Sequence, residues 1–148
     1  MAETRETLVQ HYREMRARFL LAIDGLDDAR LTEPSIDGWS VKDHMLHIAF
    51  WDGLRAGDIR RISAGHETAW KLDGRDGQLN AIAFDMRKDM TLGQARWELA
   101  VTHEAVLDAI EGMAERALDP SLYGEVGLRG PHEAVHTTWI ARWRSQRA

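Results

Sequence analysis

Apolar residues return at α-helical spacing in four separate stretches of this chain, and no period-two alternation lasts long enough to make a confident strand. The first stretch runs from about Thr4 to Gly25, with Leu8, Tyr12, Met15, Phe19, Ala22 or Ile23, and Leu26 on one stripe. A polar turn region with Pro34 and Gly38 follows. The second helix opens at Ser40, where Asp43 three residues on completes a capping-box pattern, and continues through Val41, Met45, Ile48, Trp51, Ile59 and Ile62 to about Ser63. Glycines and charges between Ala64 and Gly77 predict a loop, and Gln78 to about Lys88 a short helical stretch. Thr91 with Gln94 caps a third long helix striped by Leu92, Ala95, Leu99, Thr102, Val106, Ile110 and Met113. A loop through Pro120, Gly124, Gly127 and Gly130 leads to Pro131, which suits the first turn of a fourth helix. The expected fold is all-α: one four-helix domain over residues 1–148, in which the long link between helices two and three lets them run parallel.

Composition narrows the function classes. At 44% hydrophobic and 29% charged, the chain reads as a soluble globular protein. No apolar run approaches the roughly 18 residues that cross a bilayer. The polar start Met1-Ala2-Glu3-Thr4-Arg5-Glu6 is not that of a signal peptide, so a cytoplasmic location is expected. Cysteine is absent, which excludes disulfides, thiolate ligands and a cysteine nucleophile. A net charge of −5 gives no general attraction to nucleic acid. The basic tail of Arg142, Arg144 and Arg147 is read as offsetting the last helix's dipole. Neither a Gly-rich phosphate loop after a strand nor a GxSxG nucleophile elbow is present. The six tryptophans are expected to fill the core and its margins, some of them walling a ligand pocket.

Chemistry concentrates in histidine. His132 and His136 lie four residues apart, so their Cβ atoms would sit roughly 5–6 Å apart on one helix face. With seven histidines in 148 residues, such a pair arises by chance about 0.3 times, so spacing alone is weak. Position adds to it: His132, His136, Trp139, Ile140 and Trp143 form one continuous stripe, turning both imidazoles toward the interior. A metal ion would relieve the desolvation of two buried rings, and a third ligand from another helix would complete the set. On the second helix, periodicity slightly favours His44, which lies within the Val41-Ile48-Trp51 face, over His47, which flanks it. His44 is open as a core histidine, a group that supports a ligand, or a fourth ligand. His11, His66 and His103 read as surface or core positions. The run His132-Glu133-Ala134-Val135-His136 also spells His-Glu-x-x-His, but no sheet edge is present to hold a peptide, and Glu133 projects about 100° off the histidine face. Glu133 is therefore expected as a solvated residue of the first helical turn, with a general-base role open if the helix ends nearby.

The tract Gly38-Trp39-Ser40-Val41-Lys42-Asp43-His44-Met45-Leu46-His47-Ile48 resembles the opening of helix two in the DinB-like superfamily. Leu79-Asn80-Ala81-Ile82 through Asp89-Met90-Thr91-Leu92 is similar to the ClbS/DfsB-type subgroup, and His132, His136 and Trp139-Ile140 are similar to the family's closing HxxxH helix. The resemblance implies an up-down-down-up four-helix bundle, often dimeric, with a divalent metal ion held by three histidines. Carried to this chain, the ligands are His47, His132 and His136, which prefers His47 over His44. Departures are His44, where an aliphatic residue is usual, and Gly130-Pro131 directly before His132.

The function this implies is a metal-dependent enzyme of small-molecule detoxification or thiol transfer, with zinc, nickel or iron as cation and a low-molecular-weight thiol as possible cosubstrate. Asp43, Asp52 and Glu104 are the carboxylates expected to support the ligands. The alternative is a non-catalytic helical bundle that sequesters a small molecule or serves a stress response. A homodimer is expected in either case; a membrane or nucleic-acid partner is not.

Overall fold

The computed structural model describes residues 2–70, 74–130 and 132–147, with Val126 described in its backbone only. Helix α1 is Arg5–Ile23, its first turn closed by a reciprocal Thr4–Thr7 capping box. Asp27 caps the one-turn helix α2, Asp28–Thr32, by accepting from the Arg30 amide. Five residues are too few for a period to register, so the sequence showed only a polar turn there. Helix α3 is Val41–Ser63 and opens on the expected Ser40–Asp43 box. Helix α4 is Asp76–Arg87, starting two residues ahead of Gln78. Helix α5 is Leu92–Glu111, capped by Thr91 and Gln94 as their spacing indicated. Two 3-10 segments, Glu115–Leu118 and Pro120–Val126, occupy the expected loop, and helix α6 is His132–Ser145. The expected place of Pro131 in the last helix, and part of the loop expected from Ala64 to Gly77, lie outside the described residues. Among the described residues there is no strand, only an isolated bridge between Ile36 and Trp39.

That bridge is a two-residue turn with a consequence for the site. Asp37 (φ 51°) and Gly38 (φ 87°) are both left-handed, the combination a primed hairpin turn requires. Ile36 and Trp39 exchange backbone hydrogen bonds of 2.9 and 3.0 Å across it. The turn delivers Trp39 onto the first turns of α3, where its ring meets those of His44 and His47 edge-on at 5.2 and 5.3 Å and stacks on Phe84.

Cross-helix contacts give the directions. Lys42 reaches the Met90 carbonyl, Gly53 faces Thr102, and Ser63 accepts from the Ala114 amide, so α3 and α5 advance together. Arg16 pairs with Glu133 and Arg144 donates to the Ala22 carbonyl, so α1 and α6 also advance together. Arg5 on the Met113 carbonyl and Arg16 on the Leu99 carbonyl set α1 and α5 in opposite senses.

Among the described residues, the core has two apolar clusters. One gathers Leu8, Tyr12, Ile59, Ile62, Val106, Ile110 and Tyr123; the other gathers Phe19, Val41, Met45, Ile48, Leu99, Ile140 and Trp143. Each fully buried aliphatic or aromatic side chain contributes about 1.5–3 kcal/mol. Between the clusters on α1 lies Arg16, 4% exposed, and between them on α3 lies Asp52, 8% exposed. A charged layer thus divides the apolar interior. Trp143 is buried, and Trp139, 46% exposed, borders a cavity; Trp97, 67% exposed, corrects the expectation that all the tryptophans fill the core, its margins or a pocket wall. Trp97 sits off the α5 stripe, so its solvent position obeys the helical period. Among the described residues, no helix is long and apolar enough to cross a membrane.

Candidate metal centre

Helices α3 and α6 run past each other in opposite senses, and the first turns of α6 meet the first half of α3. His47 comes from the second turn of α3; His132 and His136 come from consecutive turns of α6. The His132 Nε2 lies 2.7 Å from His47 Nε2 and 3.1 Å from His136 Nε2. One ring nitrogen from each of the three lies within 4.8 Å of the others. His47 and His136 are buried and His132 is the exposed member at the rim. Nitrogens around a tetrahedral ion with bonds of about 2.0–2.1 Å sit roughly 3.3–3.4 Å apart, so these spacings are close to those of a shared cation. The set can hold a metal ion.

Electrostatics agree. Burial holds the His47 imidazole down to about 3, with His132 and His44 adding to the shift. Burial and the three neighbouring rings likewise lower His136, and burial lowers His132 to about 4, aided by Arg55. Neutral imidazole is the form that donates a lone pair to a metal.

The residue left open in the sequence, His44, is 3% exposed, and its Nδ1 lies 2.7 Å from His136 Nδ1. It therefore stands behind His136, on the far side of that ring from His132. Asp43 caps α3 through Ser40, and Asp52 pairs with Arg16. Glu104 is exposed on α5. Among the described residues, none of the three carboxylates expected to support the ligands bonds to a triad ring; the partner that does is another imidazole.

Glu133 corrects a second expectation. Rather than facing water, its carboxylate accepts from Arg16 Nε at 2.7 Å, and its side chain is 10% exposed. Arg16 also donates to Asp52 and to the Leu99 carbonyl at 2.8 Å, so one guanidinium ties α1 to α3, α5 and α6. Burial pushes the Asp52 carboxyl up to about 7 and raises Glu133, with Arg16 opposing both shifts. Sequence reasoning missed Arg16. The signal was available: it falls four residues after Tyr12 and three before Phe19, inside the apolar stripe, where a cation needs a partner.

Among the cavities formed by the described residues, two have several of the imidazoles in their walls. One of about 470 Å³ is lined by Trp51, Trp70, Trp139, Asp52, Glu133 and His132, among others. A second lies between the Ile36–Trp39 turn and α6, with His44, His47, His132 and His136 in its wall. Trp51 donates to Asn80 Oδ1 at 2.7 Å, fixing the wall where α4 meets α3. Of the basic tail, Arg144 donates to the Ala22 carbonyl, while Arg147 pairs with Glu33 and lies over Trp143.

A family model described as the DinB superfamily matches residues 11–143. No curated protein and no solved structure matches the chain. The match takes in both helices that supply the histidines and all but the ends of the sequence: the chain belongs to the DinB superfamily.

Proposed function

We propose that this protein is a metal-dependent enzyme of small-molecule detoxification or thiol transfer, with His47, His132 and His136 holding a divalent cation such as zinc, nickel or iron. The observation that carries the reading is the convergence of three ring nitrogens from two helices at the wall of a ligand-sized cavity. When bound, such a cation supplies Lewis acidity that activates a water or a small thiol as nucleophile. The chain's own residues do the rest. Trp51, Trp70 and Trp139 offer an apolar wall for the body of an electrophilic substrate and exclude water from one side of it. Asp52, on the same wall, has a carboxyl raised to about 7, suited to taking and releasing a proton near neutral pH. Arg16 keeps Asp52 and Glu133 in place, and through Glu133 it steadies the turn that carries His132.

The architecture that goes with this reading is a single-domain, up-down-down-up four-helix bundle of α1, α3, α5 and α6, supported by the order of the cross-helix contacts. Assembly as a homodimer and a cytoplasmic location complete the proposal.

A second reading has one specific support, the tryptophan-walled cavity itself: a non-catalytic bundle that sequesters a small molecule. Turnover separates the two. Protein loaded with zinc, nickel or iron is incubated with electrophiles and several small thiols, beside chelated protein and His47→Ala. Conversion that disappears in both controls is expected. Bound compound recovered intact under every thiol and every metal contradicts the enzymatic reading and leaves sequestration.

A further inference from the structure

The contact between His44 and His136 admits two proton arrangements, and only one of them leaves His136 able to donate to a cation. A neutral imidazole carries one N–H and one lone pair. If His44 donates from Nδ1, neutral His136 carries its own proton on Nε2, the atom 3.1 Å from His132 Nε2, and that atom has no lone pair to offer. If His136 donates from Nδ1 instead, its Nε2 lone pair faces His132 and His47, and His44 must carry its proton on Nε2.

The surroundings of His44 favour the second arrangement. Its Nε2 is fully enclosed and has no hydrogen-bond partner among the described residues. The neighbouring groups are indole rings: Trp39 at 5.2 Å, edge-on, and Trp139 at 6.4 Å. Enclosed beside electron-rich indoles, an N–H keeps a weak attraction, whereas a bare nitrogen lone pair keeps none.

We propose that His44 is a positioning residue that accepts the Nδ1 proton of His136 and so fixes the tautomer in which the His136 Nε2 lone pair faces the metal centre. The role is built from this chain's own departure at position 44, since an aliphatic side chain there can accept no proton. It rests on the reading of His47, His132 and His136 as ligands. Hydrogen bonding to the remote nitrogen of a metal-bound histidine sets its orientation and raises its basicity, and loss of such a partner typically weakens metal affinity 10–100-fold.

The test uses the whole chain as wild type, His44→Leu and His44→Asn, each titrated with cobalt(II) against a chromophoric chelator. Long-range 1H–15N correlation spectra of the metal-free proteins report which imidazole nitrogens carry protons. The asparagine side-chain oxygen can take the place of Nδ1 as acceptor, so it serves as the conservative rescue. Expected are an Nδ1 proton on His136 in the wild type, a 10–100-fold loss of cobalt affinity in His44→Leu, and an affinity within about threefold of wild type in His44→Asn. Equal affinity in His44→Leu, a His44→Asn variant as weak as His44→Leu, or an Nε2 proton on wild-type His136 each overturns the role. Wild-type protein that takes up no cobalt overturns the ligand reading instead, and the position of the His136 proton then decides the role of His44 by itself. That readout requires only that the wild type fold.

Discussion

Arg16 is the residue whose removal the fold should tolerate least. Its guanidinium is buried with Asp52 and Glu133, whose side chains are 11% and 10% exposed. Removing one partner of a buried ionic group typically costs about 3–5 kcal/mol, because the stranded charges stay desolvated. Arg16→Met is expected to destabilise by about that amount in chemical denaturation, and Arg16→Met with Asp52→Asn and Glu133→Gln to recover most of it. An Arg16→Met variant as stable as wild type would show that Arg16, Asp52 and Glu133 are not held as described. The imidazoles set a pH dependence of definite sign. Burial keeps His44, His47, His132 and His103 neutral down to about pH 3–4, whereas in the unfolded chain they protonate near 6.5. As pH falls through that window the unfolded state binds more protons, so stability is lost. Asp52 works in the opposite sense between about pH 7 and 4, since its folded carboxyl retains a proton that the unfolded one releases. Glu133, also raised, acts in that direction too. The histidines outnumber the two carboxyls, so the melting temperature of metal-free protein is expected to fall by at least about 5 °C from pH 7 to pH 5. A flat or rising profile would contradict the burial of the rings.

At the scale of elements, caps and turns place the ligands. The Ser40–Asp43 box fixes where α3 begins, and with it the height of His44 and His47. Ser40→Ala is expected to cost about 1 kcal/mol of stability by thermal melting while leaving metal content near wild type, because the cap anchors the helix end and touches no ligand. Loss of metal in that variant would tie ligand placement to the cap directly. These elements were legible in the sequence because their signals are local: capping boxes at Ser40 and Thr91, and stripes that switch off at glycine-rich loops. Helix α2 was not, being shorter than two turns. The inward turn of Glu133 was not either. Its direction off the histidine face was read correctly, but a helix can bury more than one face, and only the packing of α1 beside α6 shows that this direction leads to Arg16.

At the scale of the whole molecule, the meeting of His47 with His132 and His136 depends on contacts across 85 and 89 residues of chain, which no periodicity reports; the family resemblance supplied it. Periodicity alone leaned toward His44, and the structure gives both histidines of α3 a place, one in the triad and one behind it. Assembly is expected to follow the family, with sedimentation giving about twice the 16.8 kDa chain mass; a single-chain mass at micromolar concentration would contradict the dimer. The triad itself is tested most directly by elemental analysis of protein purified without added chelator, beside His47→Ala and His136→Ala. Close to one divalent ion per chain in the wild type, and less than about a tenth of that in both variants, is the expected result. Metal retained in full by both variants, or absent from folded wild-type protein supplied with zinc, nickel and iron, would contradict a cation held between α3 and α6.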